Sequence, residues 1–101
     1  MTSKYDRQGN KLELMEWARL FEDKKYCRVA ETILPDGKRV STVWLGLDHQ
    51  FGDGPPLIFE TMIFSDDIEG DSDDLDMTRY STEAEAITGH EAMVERWKET
   101  P

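Results

Sequence analysis

Leu14, Trp17, Ala18 and Phe21 recur at the spacing of one face of an α-helix, with Glu13, Glu16 and Arg19 mostly on the other side. Asn10 as N-cap with Glu13 as its reciprocal partner predicts a start there and a stop near Glu22–Lys24. The preceding Lys4–Gly9 stretch is short, polar and turn-like. Tyr26–Leu34 is rich in β-compatible residues, Cys27, Val29 and Ile33 alternating on one face with Glu31 as an interruption. Pro35-Asp36-Gly37 then predicts a hairpin. In the return strand, Arg39–Leu47, both Val40, Thr42, Trp44 and Val43, Leu45, Leu47 carry bulk, as in a central strand, and Gly46 suggests a bulge or a close backbone approach. Leu57–Phe64 and Leu75–Tyr80 read as third and fourth strands. Thr82 and Glu85 form a second capping box for a last helix with Ala86, His90, Met93 and Trp97 along one face. Gly89 beside them fits close helix–sheet packing.

These elements predict an α+β fold: a four-stranded antiparallel meander flanked by an N-terminal and a C-terminal helix, both packed on one face. The other face, bearing some of Tyr26, Trp44, Phe59 or Phe64, is then a candidate partner surface or dimer interface. At 101 residues the chain is expected to be a single domain, with 1–9 a short extension and 65–74 an acidic loop.

Charge changes the picture. From Val40 to Thr78 there is no lysine or arginine, yet there are ten carboxylates; the rest of the chain balances, twelve acids against twelve bases. Seven of the ten crowd into Asp66, Asp67, Glu69, Asp71, Asp73, Asp74 and Asp76. A net charge of −10 opposes nonspecific binding to nucleic acid or an anionic membrane, and favours a partner with a basic surface, such as a nucleic-acid-binding groove. The acidic run fails the EF-hand pattern, because neither Asp66 nor Asp71 is followed by glycine at the required position. A solvated loop is its plain alternative.

Candidate chemistry is sparse. The loop Asp48–Pro56 holds Asp48, His49, Phe51 and Asp53 between two central strands, and a metal would draw on Asp48, His49 and Asp53 with Glu60, although no recognised ligand spacing is met. The plainer reading has its aspartates bonding local backbone amides. His90 lies within an apolar stripe and reads as a core imidazole; Cys27, the single cysteine, reads as an inert thiol, and neither spacing supports a nucleophile–base pair. Trp17, Trp44 and Trp97 read as core or interface anchors. An anionic ligand would need Arg28, Arg39 or Arg79, the only basic residues close to the sheet. No cofactor is expected. The lone cysteine and the lack of an apolar leader predict a cytoplasmic protein.

The strings YDRQGN, LMEWARLFED, VSTVWLGLDH followed by GPPLIFETM, and RYSTEAEAITGHEAMVERW together resemble an uncharacterised family of small acidic bacteriophage accessory proteins. The resemblance covers nearly the whole chain. It implies a protein made in the cytoplasm of the infected host, with no assigned functional residues to carry over. The expectation that follows is a non-enzymatic protein that binds and blocks a host protein, such as an anti-CRISPR-like or anti-restriction inhibitor, with the acidic run as its docking feature. The rival expectation is a small-ligand or metal-binding oligomer, a homodimer for instance, built on the Asp48–Pro56 loop as a sequestering protein or an enzyme.

Overall fold

The structure is a computed structural model that describes residues 3–48, 54–64 and 74–98, with the backbone alone of Asp74 and Leu75. His49, Phe51, Asp53, Asp66, Asp67, Glu69, Asp71 and Asp73 lie outside the described residues. The chain runs β1 (Lys4–Tyr5), β2 (Lys11–Leu12), α1 (Leu14–Phe21), α2 (Lys24–Cys27), β3 (Arg28–Ile33), β4 (Arg39–Trp44), β5 (Phe59–Phe64), β6 (Asp74–Tyr80) and α3 (Glu83–Lys98).

Strands β3 to β6 form the expected antiparallel meander in the order β3-β4-β5-β6, with β4 and β5 central. The Pro35-Asp36-Gly37 turn closes β3 on β4, Gly37 supplying a φ of +96°. Facing pairs Val40 with Ile63, Thr42 with Thr61 and Trp44 with Phe59 lie on the side covered by α3, which touches all four strands. Leu34, Val40, Ile63 and Met93 form one buried cluster, and Trp44, Ile58, Phe59 and Ala86 form a second. Burying each large apolar side chain contributes about 1.5–3 kcal/mol. The helix starts as its sequence predicts, Glu85 N–H donating to Thr82 Oγ1 at 3.1 Å and Thr82 N–H to Glu85 Oε1 at 3.2 Å. Ala86, His90 and Met93 are buried on its inner face, with Trp97 half-buried. Tyr80's ring occupies the space where a side chain on Gly89 would stand.

The N-terminal third differs from expectation. Asn10 does not cap the helix. Asp6 accepts from the N–H groups of Gln8 (2.9 Å) and Asn10 (2.8 Å), folding Lys4–Leu12 into a small hairpin with Gly9 at φ +88°. Turn chemistry centred on Asp6 outcompetes the capping signal. Glu13 becomes the N-cap, its N–H donating to Glu16 Oε1 at 3.4 Å. Helix α1 touches α2 and β1 and buries no residue fully, with Leu14 and Phe21 exposed, while half-buried Trp17 and Leu20 reach the second core cluster. Lys24–Cys27 turns helically because Asp23 caps it, accepting from the N–H groups of Lys25 and Tyr26, so Tyr26 and Cys27 do not begin the strand as expected.

Trp17 anchors this subassembly. Its indole N–H donates to Leu45 O at 3.0 Å beside Gly46, whose φ is +75°. Arg7 reaches Glu83 (2.8 Å) and Tyr26 O (3.0 Å), tying the hairpin to α2 and α3. No helix among the described residues is long and apolar enough to cross a membrane.

Candidate functional site

Alternation along the strands places a second set of side chains away from α3. Three rows cross this face: Ile33, Arg39 and Phe64, with the backbone of Asp74 in register; then Glu31, Ser41, Met62 and Met77; then Arg28, Val43, Glu60 and Arg79. Among the described residues no helix lies across it; α2 borders one end through β3 and β4, and Phe21 of α1 reaches the groove there. Ile33 is 60% exposed and Met77 40%, while Val43, Leu45, Met62 and Phe64 are half-buried. Trp44 and Phe59, expected as candidates for such a surface, belong instead to the core beneath α3, and Tyr26 packs edge-on against Trp44. Period-two alternation starting from Val40 decides this, because Val40, Thr42 and Trp44 share a face.

Two ion pairs organise the open face. Glu60 is buried there, and Arg79 donates to it through Nε at 3.0 Å. Glu60 is thereby committed to Arg79, which argues against its recruitment by a metal. Arg39 lies over the ring of Phe64, 4.8 Å from its centroid, with Glu31 at 3.9 Å, beyond hydrogen-bond reach. Arg28 and Lys24 complete a cationic margin around a groove of about 420 Å³ over β4, floored by Val43 and Leu45 and walled by Phe64 and Phe21. All three arginines that the sequence offered for an anion therefore stand on one face. Lys24 was not anticipated, since it was read as the end of the first helix; the Asp23 cap was the available signal. A larger hollow of about 550 Å³ between β6 and α3 is bordered by Tyr80, Ala84, Thr88 and Ala92, with Arg79 and Glu85 its charged residues among those described.

The other candidates are placed separately. Asp48 accepts from Leu57 N–H at 3.2 Å, the local backbone bond expected of a turn aspartate. The connection it begins joins β4 to β5 at one end of the sheet; the acidic connection joins β5 to β6 at the opposite end, about 17 Å away along the six residues of β5. Asp76 projects toward α3, where Arg96 Nη1 donates to it at 2.8 Å and Trp97 Nε1 at 3.3 Å. Burial pushes its carboxyl upward, but these bonds and one from Met77 N–H outweigh it and hold the pKa below the usual value.

His90 is 5% exposed, its ring nitrogens 2.9 Å from Thr32 Oγ1 and 2.7 Å from Thr42 Oγ1. Cys27 Sγ donates to the carbonyls of Phe21 (3.4 Å) and Leu20 (3.6 Å), and burial with nearby Asp23 pushes the thiol pKa up, away from the thiolate. Neither residue has the other among its partners. Among the described residues no three His, Cys, Asp or Glu side chains gather to hold a metal. Compared with models of protein families, with curated proteins and with solved structures, the chain finds no match.

Proposed function

We propose that this chain is a small binding protein of the phage-accessory type that acts by occupying a host protein. One observation carries the reading: one face of the sheet stands uncovered among the described residues, with Ile33, Val43, Met62, Phe64 and Met77 presented on it. A partner's side chains covering this face would gain apolar burial at about 25 cal/mol per Å². The charge imbalance supplies the approach, since a net −10 concentrated in one third of the chain attracts a basic partner and raises its rate of encounter. An anti-CRISPR-like or anti-restriction inhibitor, made and acting in the host cytoplasm, is the concrete form of this proposal, and it requires no catalytic residues.

Affinity capture with the tagged full chain from host cells tests it, with Ile33→Asp and Met77→Asp as the paired control. Both substituted positions are exposed, so both variants should remain folded. A basic protein retained by the wild type and lost by both variants supports the proposal. Capture that both variants match places the contact elsewhere.

A further inference from the structure

The geometry points to the groove over β4 as a binding site for a small amphipathic oxyanion, an acidic group carried on an apolar body. This does not rest on the host-protein reading, although Val43 and Phe64 belong to both surfaces. The observation behind it is a local reversal of charge. The whole chain has twenty-two acidic residues against twelve basic ones. Among the described residues around this groove, Lys24, Arg28 and Arg39 face a single carboxylate, that of Glu31.

Two of these cations, the exposed Lys24 and Arg28, pair with no carboxylate among the described residues, and the third, Arg39, has only the distant Glu31. Arg39 is held by the Phe64 ring and sits 3.9 Å from Glu31, so its position is set while no hydrogen bond to a described residue uses its N–H donors. A guanidinium fixed in this way can turn two donors toward a carboxylate, sulfonate or phosphate. Between the cations, Val43 and Leu45 offer an apolar floor with the Ser41 hydroxyl in reach, and Phe21 and Phe64 offer ring edges. About 420 Å³ suits a body of one to three rings. Cys27 borders the groove as a neutral thiol and does not repel an anion. A bare inorganic ion would leave the floor unused, and an uncharged hydrocarbon would leave three cations facing only the Glu31 carboxylate among the described residues.

Fluorescence titration of the full chain with 8-anilinonaphthalene-1-sulfonate tests this, beside N-phenyl-1-naphthylamine, which keeps the rings and lacks the sulfonate. The groove variant K24Q/R28Q/R39Q is compared with K11Q/K25Q/K98Q, which makes the same change of net charge outside the groove, both checked for folding by circular dichroism. The expected result is saturable binding of the sulfonate, about tenfold weaker in the groove variant and little changed in the control, with the uncharged analogue bound more weakly by the wild type. Absence of saturable binding overturns the site. So does an equal loss in both variants, which reports general electrostatics, and so does equal binding of the two probes, which reports an apolar patch.

Discussion

His90 Nδ1 lies 2.7 Å from the hydroxyl of Thr42, and that hydroxyl is 2.5 Å from its neighbour across the strand pair, Thr61. With Thr32 on the other ring nitrogen, an imidazole and three threonines form one buried chain of hydrogen bonds between α3 and strands β3, β4 and β5. Either neutral tautomer satisfies it, because each hydroxyl can donate in one direction and accept from the other. The core of this small domain is thus joined by a polar seam between its two apolar clusters. The seam is costly to leave half-made. Thr42→Val strands Thr61 and the imidazole together and should destabilise by about 1–3 kcal/mol in urea unfolding, whereas Thr42→Ser should retain most of the stability.

The same seam makes stability depend on pH. Burial pushes the His90 pKa below its ordinary 6.5, and the opposing pull of the Glu91 carboxylate is weaker. In the unfolded chain the imidazole takes up a proton near pH 6.5 while the native one stays neutral. The contribution is therefore complete above pH 6.5, falls as pH drops toward the native pKa, and is level below it. Histidine resonances followed by NMR should place His90 below 6.5, and the urea midpoint should decline on the acid side of that value. A native pKa at or above 6.5 would contradict the burial argument.

Glu60 and Arg79 present the opposite case, a charged pair on the open face. The Glu60 side chain is 11% exposed and that of Arg79 33%. Arg79→Met leaves a nearly buried carboxylate without its cation and should cost about 2 kcal/mol, below the range for a wholly buried pair because solvent already screens the arginine. The double variant Glu60→Gln with Arg79→Met should recover most of that loss. Chemical denaturation of the single and double variants gives the coupling directly, and an uncoupled pair would show the two changes simply adding.

How far the amino-acid pattern foretold this structure varies along the chain. The meander was legible because alternation in Val40–Trp44 and a turn at Pro35–Gly37 are local signals that the tertiary structure leaves intact. The last helix was legible for the same reason, down to its capping pair and the inward His90. The N-terminal third was not. Two N-terminal capping patterns overlap there, Asn10 with Glu13 and Glu13 with Glu16, and the choice falls to Asp6, whose side chain closes a turn from outside the helix. The open face was anticipated as a surface bearing some of Tyr26, Trp44, Phe59 or Phe64; Phe64 is on it and Trp44 and Phe59 are not, since bulk on both sides of a strand leaves its orientation undecided until the neighbouring helix is placed. The groove's cations come from α2, β3 and β4, and no spacing in sequence announces them as neighbours.

Gly46 was singled out as a bulge or a close approach, and the structure shows why the position needs it. Its φ of +75° is a conformation that L-residues adopt at a cost, and an added Cβ would stand 2.5 Å from Trp44 and 2.6 Å from Trp17. Trp44 is fully buried and cannot yield easily. Gly46→Ala should cost about 3 kcal/mol, combining backbone strain with overpacking, and should lower the thermal midpoint by many degrees. A variant as stable as wild type would mean that the two indoles do not hold these positions.

Asp76 has a structural role within the acidic run. Arg96 and Trp97 both donate to it, and it joins β6 to the last turns of α3. Asp76→Asn removes the charge that favours Arg96 and should cost about 1 kcal/mol by denaturation. Asp71→Asn with Asp73→Asn should cost nothing or stabilise slightly, because each change relieves repulsion in a dense run of like charge. The roles reverse against a captured basic partner. Asp71→Asn with Asp73→Asn should slow association most at low ionic strength, where the screening length is long, and the effect should shrink as salt is added. An association rate indifferent to those two residues at every salt concentration would remove the acidic run from the proposed docking and leave the open sheet face to account for binding alone.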